Sequence, residues 1–474
     1  MKDKTKTLLS NTFYFAIAGL GAKLMVFLMV PVYTHILSAG EYGIVSIIQT
    51  TNSFLYPILT LYISNAVLRF CFIKTNRTED VFMIGMRVCI VASLLNIPIV
   101  WIMARFSLFE NVSEYMYLMP IMFTTHVFNN LFNDFSRCID KVRLSALNGI
   151  LNTFIIIACS ILFMVIMQMG VIGYLLSFII ADSISVAFMM YFCQIKKYFT
   201  KKYNRPLAQE MYKYSLPLVP NRLSWWIFTS MNQYLILYIL GEQFVGIYSA
   251  SMRIPTILTV LCGIFTQAWL LSALEDYGSD ENKIFIKSIH VKFVSIVTSL
   301  TSFLILFSYP LSQLLLSGEF SSSWRIIPFM FIAVCLGSLV GFYESVFLAE
   351  KKNLILLVAT FIGTLVSTFA VITLLKYYKL IVVSLSLMVG YIIICSILKL
   401  KIKKFISDIG LSNRRYSLYI TLMIVEAFCV AMNYYFCAVL CFFALGLINR
   451  RGLSTIARNV ISELVIYKEK LKND

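Results

Sequence analysis

Charge is the first thing this chain lacks. Only 13% of its 474 residues are Asp, Glu, Lys or Arg, 59% are hydrophobic, and the mean hydropathy is +0.83. A soluble chain of this length would divide into about three domains. So little polar surface cannot cover them, and lipid must cover much of the apolar area instead. Acidic residues are scarcer than basic ones, 23 against 40, for a formal charge of +17. The Lys and Arg sit in short runs between apolar segments, where anionic lipid and the positive-inside rule account for them. That placement argues against nucleic acid as a partner. Histidine numbers three, and the 11 cysteines are scattered singly with no Cys-x-x-Cys pair and no neighbouring His cluster, so no zinc site is expected. Cys437 and Cys441 stand one helical turn apart in an apolar segment and read as small buried hydrophobes. A Gly-x-x-x-x-Gly-Lys-Ser/Thr phosphate loop is missing too, and direct ATP use is not expected.

What is present is a succession of long apolar runs. A bilayer core about 30 Å thick takes roughly 20 apolar residues per spanning helix, and that window finds about fourteen segments. They lie near 9–36, 44–72, 82–104, 115–136, 144–168, 171–195, 212–240, 245–273, 285–308, 325–349, 353–375, 380–398, 416–432 and 434–449. The first is too long for a signal-peptide core and has no small-residue cleavage site after it. The expected fold is therefore all-α, a polytopic membrane protein. With the N-terminus inside, 31 of the 40 cations fall in inward-facing loops and tails, and only Arg105, Lys376 and Lys379 face outward. This bias puts both termini in the cytoplasm. The outward connections are short, with no room for a catalytic domain, and the chain is not expected to be an enzyme. The densest early run of positive charge, Lys196, Lys197, Lys201, Lys202 and Arg205, reads as a cytoplasmic connector close to the midpoint.

The chain also repeats itself. A shift of 203 residues lays Ile36–Ser46 on Ile239–Ser249 without a gap, and Ile, Leu, Gly, Ile and Ser coincide. A shift of 210 lays Asp134 on Glu344 and Asp140-Lys141 on Glu350-Lys351, which implies extra residues around Ser317 to Ser323 in the second copy. Two six-helix bundles in pseudo-twofold relation follow, over 1–195 and 212–400. They are joined by the connector 196–211 and followed by two extra helices in 401–449. In the tail 450–474, Ile456, Val460 and Leu464 share one helical face, which suggests a helix on the anionic inner surface. Parallel repeats of this kind place the substrate path at the interface between the halves.

Six cations remain in or near the apolar runs. Arg69, Arg87 and Arg325 lie near helix ends and read as headgroup anchors. Lys23 and Arg222 stand on the first helices of the two halves, and Arg253 about two turns into the eighth helix. A cation at the centre of a lipid-facing helix costs on the order of 2.5 to 3.5 kcal/mol, so these three are expected to face water or a partner. Arg offers a fork and Lys a point charge, a combination that suits an anionic ligand such as a pyrophosphate. The competing reading pairs them with buried carboxylates, for which Asp182, Asp134, Glu344 and Glu426 are available. Trp225 and Trp226 beside Arg222 could stack on a sugar ring or a polyprenyl chain, or anchor in the interface. Asp182 is the most central acid and a candidate for ion coupling. Asp134 and Glu344 lie near inner helix ends, beside Arg137 and Lys351. His126 is a candidate protonation site and His35 a solvated residue. No organic or metal cofactor is expected, and coupling to protons or to sodium remains open. Gly19, Gly21, Pro31, Pro217 and Pro220 predict interrupted first helices in both halves.

The stretch from Ser10 to Ile47 resembles the start of bacterial polysaccharide-biosynthesis flippases, the O-antigen and capsule-unit translocases of the multidrug/oligosaccharidyl-lipid/polysaccharide exporter superfamily. The resemblance is carried by Pro31, Tyr33 and Thr34, then Leu37-Ser38 and Glu41-Tyr42-Gly43. It implies transport of an undecaprenyl-pyrophosphate-linked oligosaccharide from the inner to the outer leaflet of the bacterial inner membrane. Alternating access around a cationic cavity would drive it, with the polysaccharide polymerase and chain-length machinery as partner proteins. The rivals are a multidrug exporter of the same superfamily, a peptidoglycan-precursor flippase, and a membrane polymerase, which would need a catalytic loop or an acidic metal site.

Overall fold

The computed structural model describes residues 25, 27–73, 76–105, 110–200, 203–263, 265, 280–349, 352–402 and 412–450. Lys23, Lys201, Lys202 and the expected amphipathic tail helix lie outside them. Every regular element among the described residues is helical. Helix occupies the described part of each expected window, the first being described only from residue 25 and the eighth only to residue 263 and at 265. Among the described residues, eight helices are long and apolar enough to cross a membrane, or nine if one bent pair counts as a single span. Met119–Cys138 and Leu218–Leu240 are long enough but too polar to pass the same test. Polar side chains on both bond to neighbouring helices.

The chain forms two compact units, one over Met1–Ala250 with Leu316–Phe320, the other over Ser251–Leu315 with Ser321–Asp474. The first contains α1 (Val30–Ile36), α2 (Ala39–Leu59), α3 (Ile63–Cys71), α4 (Thr78–Arg105), α5 (Met119–Cys138), α6 (Val142–Ser160), α7 (Gly170–Phe192), α8 (Arg205–Ser215), α9 (Leu218–Leu240) and the start of α10 (Glu242–Arg253). Its core is α5 packed among α4, α6 and α7.

Two windows hold more than one helix. The run expected over 44–72 is α2 and α3, bent by 54° at Thr60–Tyr62. Pro57 removes one i→i−4 bond, the Thr60 hydroxyl donates to the carbonyl of Tyr56 at 2.6 Å, and Leu61 and Tyr62 then turn left-handed at φ 50° and 52°. The window 212–240 is likewise split, since α8 ends at Ser215 and α9 starts after Pro217. The interruption expected in this window thus falls at Leu216–Pro217, and α9 then runs unbroken from Leu218 to Leu240 with Pro220 in its first turn. Pro220, in a first turn, costs no further hydrogen bond, whereas Pro57 sits inside its helix and accompanies the second break.

Within the connector, Asn204 caps α8 by accepting the Leu207 amide at 3.3 Å, with Pro206 in the first turn. Two tyrosine rings of this region lie under arginines of the bundle: Arg69 over Tyr214 at 4.3 Å and Arg87 over Tyr203 at 4.8 Å. Cation–π contacts of this kind hold the connector against α3 and α4.

The second unit contains α11 (Asp280–Leu306), α12 (Ile327–Ala349), α13 (Asn353–Tyr378), α14 (Leu380–Ile402), α15 (Asn413–Ala431) and α16 (Tyr435–Arg450). Asn449 pins α16 to α11, donating to Ser299 Oγ at 2.8 Å and Thr298 Oγ1 at 3.1 Å. Glu426, fully buried on α15, accepts the Ser302 hydroxyl at 2.6 Å. Ser302→Ala is expected to destabilise the protein by about 1–3 kcal/mol, read as a lower thermal midpoint in detergent, because it removes the hydrogen bond to a buried carboxyl group.

Candidate functional site: a buried polar network and a paired-glycine crossing

The first cluster starts from spacing. His126, Asn129 and Asn133 lie at i, i+3 and i+7 on α5, Asn148 and Asn152 at i and i+4 on α6, and Asp182 and Ser185 at i and i+3 on α7. Each set shares one helical face. The three faces meet: Asn129 Nδ2 donates to Asp182 Oδ1 at 2.7 Å, Asn152 Nδ2 donates to the same oxygen at 2.9 Å, and His126 Nδ1 lies 3.3 Å from Oδ2. Asn148 Nδ2 reaches Asn129 Oδ1 at 3.0 Å and Asn133 Oδ1 at 3.2 Å. Ser145 Oγ donates to Asn133 Oδ1 and accepts from Arg137 Nε, both at 3.3 Å, and Arg137 Nη1 lies 3.7 Å from Asp134 Oδ1. An unbroken polar chain thus runs from Asp134 at the connector end of α5 to Asp182 in the middle of α7.

The chemistry of the chain follows from its donors. Two amide N–H groups are aimed at one Asp182 oxygen, and His126 lies across from the other. The His126 side chain is 49% exposed and that of Asp182 13%, so the imidazole is the wet end and the carboxylate the dry one. Both amides present nitrogen, not oxygen, to the carboxylate, which suits a proton held between His126 and Asp182 better than an oxygen-ligated metal ion. No group of three or more His, Cys, Asp or Glu able to hold a metal occurs among the described residues.

The second feature lies where the repeat copies begin. Ser38 and Glu41 form a reciprocal cap on α2: Ser38 Oγ accepts the Glu41 amide at 3.2 Å and Glu41 Oε2 accepts the Ser38 amide at 2.9 Å. Two residues on, a Cβ at Gly43 would overlap the carbonyl oxygen of Glu242, and a Cβ at Gly246 would overlap that of Ala39. Ala39 and Glu242, and Gly43 and Gly246, are related by the 203-residue shift, so this contact maps onto itself under the repeat. Only glycine lets two helix backbones cross this closely. The crossing is clamped from one side by Glu319, whose Oε2 accepts the Ala39 amide at 3.3 Å and the Gln243 amide group at 3.5 Å. Phe320 lies edge-on to Tyr42 at 5.8 Å, and Asn111 Nδ2 donates to Glu242 Oε1 at 2.6 Å. Further along, α2 and α9 are joined by Thr50 to Gln233, Thr51 to Tyr234, and Trp226 Nε1 to Ser53 Oγ at 3.0 Å.

Of the residues singled out in the sequence, Asp182 and His126 are brought together, and Asp134 is tied to them through Arg137. Arg222 is exposed on α9 with its guanidinium 4.9 Å over the Tyr62 ring at the helix break. Trp225 is half-buried with its edge toward Phe228 at 6.3 Å; its neighbour Trp226 makes the contacts with α2. Arg253 and Glu344 are half-buried in the second unit, and Lys23 lies outside the described residues. Sequence reasoning missed Asn129, Asn133, Asn148 and Asn152. Their signal was there, as amides repeating at helical spacing in runs otherwise apolar.

A family-wide sequence pattern described as "Polysaccharide biosynthesis protein" matches residues 8–270, more than half of the chain. The chain belongs to this family. Among solved structures, the lipid II flippase MurJ in an inward closed conformation matches at a TM-score of 0.66 and 14% identity, over 95% of this chain and 98% of that one. An inward-facing multidrug resistance MATE family transporter of the MOP superfamily matches at a TM-score of 0.61 and 16% identity, over 84% of this chain and 95% of that one. A MOP superfamily transporter from Pyrococcus furiosus, described as having a binding pocket of reverse polarity, matches at 0.59 and 16%, over 85% and 96%. Identities this low establish a shared fold: the family member is an all-helical, multi-pass membrane protein with the architecture of MOP superfamily transporters. No curated protein matches it in sequence.

Proposed function

We propose that this family member is a flippase that moves an undecaprenyl-pyrophosphate-linked oligosaccharide repeat unit from the inner to the outer leaflet of the bacterial inner membrane, for surface polysaccharide assembly. It lies with both termini cytoplasmic and works by alternating access. The observation that supports this best is the self-complementary crossing at Gly43 and Gly246. With the termini inside, the crossing lies on the outer side, where it holds the starts of the two repeat copies together. Backbones in direct contact without interlocked side chains can part and re-form as a unit, which is what an outer gate requires. The six-helix bundles 1–195 and 212–400 are the moving bodies, 196–211 links them on the inner side, 401–449 adds two helices, and 450–474 rests on the inner surface. Lys23, Arg222 and Arg253 supply cations for the pyrophosphate, with Trp225 beside the sugars. Protons taken up at His126 and Asp182, with Asp134 and Glu344 toward the inner side, supply the driving force. No bond is made or broken, so the chain is a carrier and not an enzyme. A polysaccharide polymerase and its chain-length machinery take the product.

Asp182 also favours a second reading, a multidrug exporter, because a buried carboxylate is what a cationic drug would seek. The two separate in the source cell. Depleting the chain is expected to trap a lipid-linked repeat unit on the inner leaflet and remove a surface polysaccharide, and the trapped glycan names the cargo. An unchanged lipid-linked pool together with raised drug sensitivity would instead favour the exporter.

A further inference from the structure

A cavity of about 470 Å³ opens on the first unit between α4, the α2–α3 break and the connector, away from the polar network and the glycine crossing. Its walls differ in kind. Arg87, Val91 and Leu95 lie at i, i+4 and i+8, one face of α4. Val91 is 54% exposed and Leu95 48%. Helical side chains lean toward the helix N-terminus, so Arg87 leans toward the connector, where it meets the Tyr203 ring. Tyr212 stands beside Tyr203, and its phenol, like that of Tyr203, is a hydrogen-bond donor at the connector end. Leu61, at the break, closes the opposite wall.

The cavity is thus graded: a guanidinium and two phenols at the connector end, then an apolar channel open along a span that crosses lipid. We propose that it is a binding site for one anionic phospholipid, whose phosphodiester sits on Arg87, Tyr203 and Tyr212 and whose acyl chain runs along Val91 and Leu95. Arg87 is the one cation among the described lining residues. A single positive charge matches the monoanion of a phosphodiester and leaves the higher charge of a pyrophosphate uncompensated, so the occupant is a bilayer lipid and not the lipid-linked cargo. The bound lipid ties α4 to the connector and packs against the strained backbone at Leu61, where it steadies the α2–α3 bend. The orientation proposed above enters only in assigning this lipid to the inner leaflet.

The test uses the purified full-length protein in detergent, titrated with dioleoyl phosphatidylglycerol or dioleoyl phosphatidylcholine, with bound lipid counted by native mass spectrometry. One retained phosphatidylglycerol is expected, preferred about five- to tenfold over phosphatidylcholine, the worth of one cation at an anionic headgroup. Arg87→Gln should abolish that preference, whereas Arg77→Gln, a 70% exposed cation outside the cavity, should keep it. Leu95→Trp, which fills the channel without touching charge, should lower retention of both lipids and serves if Arg87→Gln folds poorly. Equal retention of the two lipids by the wild type, or a preference that survives Arg87→Gln, would overturn the proposal. Displacement by glycerol 3-phosphate as effective as that by phosphatidylglycerol would also overturn it, because the site would then hold a soluble anion. None of these readouts uses the transported cargo, so the result stands apart from the flippase reading.

Discussion

Gly43→Val is expected to abolish surface polysaccharide while the protein still inserts in the membrane at normal levels. The branched side chain would begin inside the carbonyl oxygen of Glu242 and 3.1 Å from the amide nitrogen of Gly246, with backbone rather than a flexible side chain in its way. Overpacking at such a place costs about 1–3 kcal/mol, and the chain can shed that cost by parting the two helices. At the upper end, about 3 kcal/mol moves an equilibrium by roughly two orders of magnitude, so a closed state that had been favoured becomes the minor one. Gly246→Val should act alike, because the repeat carries Gly43 onto Gly246 and Ala39 onto Glu242. Gly149→Val is the control, since a Cβ there meets nothing within 4 Å. Accessibility of a cysteine placed at Ala39 to a membrane-impermeant thiol reagent checks the mechanism: it should rise in both glycine variants and not in the control. Normal polysaccharide with Gly43→Val would remove the gate from the account.

Asp182→Asn should separate stability from coupling. The amide keeps an oxygen to accept from Asn129 and Asn152 and nearly the same volume, so the thermal midpoint should move little. The charge that pairs with His126 is gone, and gradient-driven flipping in proteoliposomes should fall at least tenfold, the worth of about 1.4 kcal/mol. Asp182→Ala should fail differently. It leaves two buried amide donors without an acceptor, at about 1–3 kcal/mol each, so the protein should lose stability as well as activity. Driving the reaction with a pH step and, separately, with a sodium step tells the ion apart. A response to sodium alone, or an undiminished response to pH in Asp182→Asn, would sink the proton reading.

Both variants rest on contacts that differ in how visible they are along the chain. The motif Pro31, Tyr33, Thr34, Ser38, Glu41, Tyr42, Gly43 stands out in sequence, and the structure gives each residue a task. Pro31 opens α1, and the Tyr33 hydroxyl meets Ser160 Oγ at 3.2 Å. Thr34 accepts the Ser317 amide at 3.3 Å, Ser38 and Glu41 cap α2, Tyr42 packs on Phe320, and Gly43 makes the crossing. Glu319 and Phe320, which make the clamp, fall within the stretch Ser317 to Ser323. A charge in an apolar run signals that something must solvate it, but the signal carries no partner, and Arg222 turned out to lie over Tyr62 at a break that hydropathy did not show.

By itself the sequence determined the class and where the apolar helices lie along the chain. Both depend on sums over a window of neighbouring residues: apolar content sets burial in lipid. Tertiary structure alone decided that Asn129, Asn152 and His126 converge on Asp182, that Gly43 faces Glu242, and that the second helix breaks at Thr60–Tyr62. Those are facts about which surfaces meet. An asparagine on one helix has the same local pattern whether it faces lipid, water or a carboxylate on another, and a glycine gives no sign of which backbone will come to rest against it.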